Sequence, residues 1–278
     1  YQNWHNNHNG YGDMEDLDAA TLDDVQAFFD AYYSPANAAL VVVGDFDPAE
    51  ALSLAERYFQ DIPAATPPPS PDVTEPRQEA EQRWSYTDAL ATQPALAISY
   101  HVPPRGTPEY YAMGLLNHLL AQGEDSLLHT ELVLKRGYAG DVDGGINFLG
   151  NMHNAQTPLL WTVSLVHDNE VSADAILEAV DSVIEPVRKS PITPEMLSRL
   201  FSKERSQRLR SLAEGTYPRF GIADLLASFE LIDGDAAAIN QLDSRFRAVT
   251  PEVLLATAQE YLRPTNRNVL VLEPGAAS

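Results

Sequence analysis

The run Tyr32-Tyr33-Ser34-Pro35-Ala36-Asn37-Ala38-Ala39-Leu40-Val41-Val42-Val43-Gly44-Asp45-Phe46-Asp47 reads as a helix end, a proline stop and a strand. Ahead of it, Thr21 followed by Asp23 and Asp24 marks a capped helix start, and Val25, Phe28, Phe29 and Tyr32 recur at helical spacing. Residues 38–44 are continuously apolar and rich in β-branched side chains, which predicts a buried strand. Asp47-Pro48 then opens a helix carrying Leu52, Ala55 and Phe59 on one face. Residues 1–17, with Asn3, Asn6, Asn7, Asn9, Gly10 and Gly12, read as loop.

The same module occurs again near the other end. Thr250-Pro251-Glu252-Val253 is followed by Tyr261, Pro264, Asn266 and an apolar strand ending at Leu272. In both copies Tyr follows Thr by eleven residues, Pro follows Tyr by three and Asn follows Pro by two. One helix–Pro–strand unit is ordinary, but matched positions at a constant offset point to structural duplication. The second copy closes a unit spanning 88–278, whereas little sequence precedes the first. Residues 1–62 are therefore expected to be the C-terminal tail of a first unit.

Between the copies, Pro63, Pro67, Pro68, Pro69, Pro71 and Pro76 crowd a polar stretch that suits neither a helix nor a central sheet. Residues 63–87 are read as an interdomain linker. After it, strands are predicted at 95–102, 138–149, 159–167 and 268–272. Helices are predicted at 109–121, 126–135, 172–188 and 194–213, after Tyr217 and after Thr250. Long helices with an antiparallel pair at 138–167 give an α+β layer fold.

Composition narrows the partners. With 44% apolar residues the chain can bury a core, and no apolar run is long enough to cross a bilayer. Eighteen Lys and Arg against 40 Asp and Glu give a formal charge of −22, a surface that repels nucleic acid and anionic lipid. That acidity serves solubility or, as a second reading, a field that attracts basic peptides. The absence of cysteine excludes disulfides, thiolate metal sites and a Cys nucleophile. The first residue is Tyr1 and not Met, so either a segment was removed upstream or the chain was excised from a longer protein.

The 32–47 run strongly resembles a signature of the pitrilysin/insulinase zinc metallopeptidases, the inverzincins. Gly12-Asp13-Met14-Glu15-Asp16-Leu17 is similar to the family's segment before that helix. Gly123-Glu124-Asp125-Ser126-Leu127-Leu128, with Leu132 and Lys135-Arg136-Gly137, resembles its Gly-rich turn and helix, and residues 249–266 its closing helix. The resemblance implies two homologous α+β halves of the mitochondrial-processing-peptidase-like fold enclosing a peptide chamber. It also implies an H-x-x-E-H motif and a distant Glu, whose two His and distant Glu bind Zn²⁺ while the motif Glu activates the metal-bound water. In the family these lie upstream of the Tyr-x-x-Pro-x-Asn segment, and this sequence has no H-x-x-E-H.

The histidines of this sequence do not supply that pattern. His5 and His8 stand three apart without a neighbouring Glu, His118 reads as a hydrogen-bonded packing residue, and His129 and Glu131 point apart on a helix. His101, His153 and His167 are isolated. The family's substrate-contacting Arg and Tyr, seven residues apart, fall on Val133 and Gly140, with Tyr138 out of register. Their absence fits the second domain of a zinc-bearing subunit whose partner supplies the pair, or an inactive paralogue.

A family member, the insulin-degrading enzyme, holds a peptide's N-terminal region against a strand bearing a Gly pair. Gly144-Gly145 resembles that segment, which makes these residues the candidate substrate-binding positions. A bulge or hairpin bend is the simpler explanation of them. No catalytic residue and no metal ligand is assigned to this chain.

The resulting expectation is the non-catalytic C-terminal portion of a zinc metalloendopeptidase, helping enclose peptides or unfolded polypeptides and inactive alone. Zinc belongs to the parent protein and not to this chain. The partners are the catalytic unit upstream and a second subunit in a homo- or heterodimer, with no nucleic acid and no membrane. A catalytically dead assembly subunit is the alternative. Family habit suggests a periplasmic or secreted bacterial protein.

Overall fold

The computed structural model describes residues 1–8, 10–147, 150–214 and 221–275. Asn9, the end of the strand expected at 138–149, Tyr217 and the last three residues of the second unit lie outside the described residues.

Three helices open the chain: α1 (Met14–Ala19), α2 (Leu22–Tyr32) and α3 (Pro48–Phe59). Thr21 caps α2 in a reciprocal box with Asp24, and Asp47 caps α3 by accepting from Ala49 and Glu50 N–H. Residues 1–17 are thus not loop throughout. The first residues fold back on the Pro-rich stretch, where the Glu75 carboxylate accepts from Gln2 N–H at 2.8 Å and Asn3 N–H at 3.1 Å.

A five-stranded mixed sheet follows. Its strands are β1 (Gln82–Asp88), β2 (Ala95–His101), β3 (Asp143–Ile146), β4 (Leu160–Val166) and β5 (Arg267–Pro274), in the order β1-β5-β2-β4-β3. β1 runs parallel to β5, and the other pairs are antiparallel. β1 corrects the linker reading, because residues 82–88 are a sheet strand. Nothing local announces it: its side chains are mostly exposed and it exists by pairing with β5.

Burial alternates along β2 and β4, so one sheet face is covered and the other half-exposed. Leu96, Ile98, Tyr100, Trp161, Val163, Leu165, Val269 and Val271 share a core with α4 (Pro108–Leu120), α6 (Ala173–Lys189) and α10 (Pro251–Tyr261). Thr107 caps α4 through Tyr110 N–H. Between these helices run α5 (Leu127–His129), continued by a wide turn over Thr130–Lys135, then α7 (Pro194–Glu214), α8 (Ile222–Asp233) and α9 (Leu242–Arg247). In the wide turn Arg136 N–H reaches back five residues to Glu131 O at 3.1 Å. The expected strand over 138–149 shrinks to β3 plus one bridge, Ala139 to His167.

The two copies of the module superpose in their local detail. Thr21 and Thr250 have nearly the same backbone angles (φ −107°, ψ 164° and φ −104°, ψ 164°). Both helices hold 11 residues and both lead into a 3₁₀ turn, Pro35–Asn37 and Pro264–Asn266. Asn37 Nδ2 donates to Tyr32 O at 2.9 Å, and Asn266 Nδ2 to Tyr261 O at 2.7 Å. The strands then differ. β5 lies between β1 and β2, while residues 38–43 pair with no strand among the described residues and expose Leu40, Val42 and Val43. This corrects the buried strand expected there, since an apolar run becomes a strand only where a neighbour takes its backbone hydrogen bonds.

Candidate functional site

Gly144 and Gly145 lie on β3, which among the described residues pairs with β4 alone and forms one edge of the sheet. They are neither at a hairpin bend nor in the left-handed region. Gly144 is needed sterically: a Cβ there would stand 2.5 Å from Ala121 Cβ, at the end of α4. Gly145 is different, with nothing among the described residues within 4 Å of its Cβ position. After Ile146 the chain turns through Asn147 at φ 62°, a conformation Asn tolerates better than most residues. Its side chain ties the turn down by donating to Asn151 O at 3.1 Å and Asn154 Oδ1 at 2.9 Å.

Beside this edge is a cavity of about 510 Å³. β3 forms one wall, and Asn117, His118 and Gln122 from α4 and its end form the second. Glu204, Gln207 and Arg208 of α7 stand opposite. Asn117 Oδ1 accepts from the fully buried Trp161 Nε1 at 2.7 Å, which fixes it against β4. Glu204 is 4% exposed; burial pushes its carboxyl above the usual range, opposed by Arg208, whose Nε donates to Oε1 at 2.8 Å. Among the described residues its Oε2 has no partner, nor has His118 Nδ1. Burial, and then the nearby Lys203 cation, lower the His118 imidazole to about 4. His118 is therefore buried in packing as expected, but not with the hydrogen bond expected of it: among the described residues Nδ1 has none.

The other histidines do not converge. His5 and His8 flank the exposed Trp4, His8 stacking on it at 4.8 Å. His101 packs edge-on to Tyr1 at 5.4 Å, and His167 Nδ1 donates to Asp168 O at 3.0 Å. Burial, and next Arg105, lower His153 to about 3. His129 lies 3.8 Å from Asp141, while Glu131 turns to Lys135 and Arg136. Among the described residues no three His, Asp or Glu side chains are grouped to hold a metal ion. The residues present do not fit a peptidase zinc. Arg136 stacks over Tyr138 at 5.6 Å, a pairing two residues apart and not the family's seven. No helix among the described residues is long and apolar enough to cross a membrane.

The sequence singles out the Gly pair but not Gln122, whose Nε2 donates to Gly144 O at 2.6 Å across 22 residues of sequence. A glutamine just past a helix end carries no local signal for such a contact.

The chain is 26% identical over 266 residues to "Zinc protease PqqE" of Helicobacter pylori, covering 95% of this chain and 57% of that protein. Among solved structures, a protease from Helicobacter pylori matches with a TM-score of 0.78 at 23% identity, covering 95% of this chain and 61% of the other. A peptidase M16 inactive domain from Pseudomonas fluorescens matches with a TM-score of 0.76 at 20% identity, covering 98% and 61%. The periplasmic protease PqqL from Escherichia coli matches with a TM-score of 0.58 at 16% identity, covering 84% and 25%. This chain spans less than two thirds of each of these relatives. Residues 19–203 match the model of the peptidase M16 inactive domain, and the chain belongs to that family.

Proposed function

We propose that this chain is the non-catalytic portion of a zinc metalloendopeptidase and that it helps enclose peptide substrates, holding them by backbone pairing along β3. The observation that carries this reading is an edge strand, with Gly144 and Gly145, facing a cavity of about 510 Å³ instead of a neighbouring strand. In this reading residues 1–62 close a first, catalytic-type unit, residues from 63 link it to the second, and zinc is held upstream. The exposed Phe28, Phe29, Leu52 and Phe59 of α2 and α3 support it, being apolar faces that the body of a first unit would cover. The likeness to a periplasmic protease supports a periplasmic or secreted location, and a second subunit would complete the chamber.

The same exposed face would suit a catalytically dead assembly subunit. Sequence upstream of Tyr1 separates the two: H-x-x-E-H there favours the enzyme, and a degraded motif the scaffold. Peptide holding is tested by titrating the isotope-labelled chain with an acetylated, amidated hexapeptide of alternating valine and threonine. Amide exchange at Gly144 and Ile146 is expected to slow about tenfold or more on saturation. Binding that leaves both amides unchanged would exclude β3 as the holding edge.

A further inference from the structure

The outer side of β3 is already occupied. Asn147 N–H donates to Leu160 O at 3.1 Å, and hydrogen bonding alternates along an antiparallel pair. In the register that sets Gly145 opposite Thr162, the Gly144 N–H and C=O therefore point away from β4. The N–H donates to Asp143 Oδ1 at 2.9 Å, and the C=O accepts from Gln122 Nε2 at 2.6 Å. Gln122 is clamped in turn. Gln207 Nε2, on α7, donates to its Oε1 at 3.0 Å, and Lys203 Nζ donates to its backbone carbonyl. Two side-chain amides thus form a chain from α7 across the cavity to the strand edge.

We propose that Gln122 is an occluding residue that controls access to this edge. Its amide occupies the place where the N–H of an added strand would bond to Gly144 O. Asp143 likewise occupies the place of that strand's C=O at Gly144 N–H. An incoming peptide exchanges these bonds one for one and gains nothing from them until Gln122 swings out. The Gln207 bond sets how readily it does so. The device protects an edge that would otherwise pair with any extended chain, and it admits ligands that form several further backbone bonds along β3. The proposal rests on the reading of β3 as the peptide-holding edge.

The test compares wild type with Gln122→Met, which keeps the side chain's length but not its donor, and with Gln207→Met, which frees Gln122 without removing it. The probe is the same valine–threonine hexapeptide, its affinity read from the amide shifts of Gly144 and Ile146. Gln122→Met is expected to bind about threefold to tenfold tighter than wild type, the worth of one exchanged hydrogen bond. Gln207→Met is expected to fall between them. Equal affinity at β3 in all three proteins would overturn the occluding role while leaving the edge reading intact. Shifts absent from β3 in all three would overturn both.

Discussion

Alanine at position 144 is expected to damage the fold, and alanine at position 145 is not. The added Cβ at 144 would lie 2.5 Å from Ala121 Cβ, 3.3 Å from Thr162 O and 3.3 Å from Val163 Cγ2. Carbon atoms settle at about 3.5–4.0 Å, so about 1 Å must be found. None of the three neighbours is the tip of a long side chain, and Ala121 is 2% exposed at the end of α4. The relief must come from lifting α4 off the sheet or bending β3, and overpacking of this kind costs about 1–3 kcal/mol. At 145 a methyl group meets nothing among the described residues within 4 Å, and the backbone is outside the left-handed region. Gly145→Ala is accordingly neutral, or stabilising by about 0.4–1 kcal/mol through a less free unfolded chain. Urea denaturation of both variants, at unchanged slope, measures the contrast. Equal losses at the two positions, or no loss at 144, would refute the steric account of the glycine pair.

Three further outcomes rest on the described contacts. The folded His118 pKa lies near 4, below its ordinary 6.5, so the unfolded chain binds a proton that the folded one resists. Stability is then full above about pH 6.5 and falls as pH drops toward 4; His118→Gln should remove about 2 kcal/mol of the loss between pH 7.5 and 5. Parallel pH profiles for variant and wild type would contradict this. Thr250→Ala removes the acceptor for Val253 N–H at 3.3 Å and should cost about 0.5–2 kcal/mol in the global transition. Thr21→Ala removes an equivalent cap from α2, which buries no residue, so its loss should appear as local fraying by amide exchange with the global midpoint unchanged.

The elements that could be read from sequence are those whose signals are local. Thr21, Asp47 and Thr250 announced their helices because a side-chain acceptor two or three residues from an unpaired N–H acts without tertiary help. β2 and β4 were legible from apolar runs that become the sheet's covered face. β1 was hidden because Trp84 and Tyr86 are exposed and its partner lies 186 residues away, Gln82 opposite Asn268. At the candidate site the glycines were visible, but their different roles were not. One is fixed by Ala121 and Gln122 and the other by nothing in contact, and both facts depend on where α4 ends in space.

The duplicated module separates local from tertiary control within one molecule. Thr, Tyr, Pro and Asn at matched spacing produce the same cap, an 11-residue helix, the same 3₁₀ turn and the same Asn-to-Tyr hydrogen bond twice. Those features close within a few residues, so each copy carries all that it needs. The strand does not close on itself. Residues 267–274 receive backbone partners from β1 and β2 on both sides and bury Val269 and Val271 against the helices. Residues 38–43, apolar at every position, leave Leu40, Val42 and Val43 about half exposed or more. Sequence therefore encodes the competence of 38–43 to be a strand, and a neighbouring sheet must supply the rest. That is the physical content of the proposal that residues 1–62 belong to a first unit.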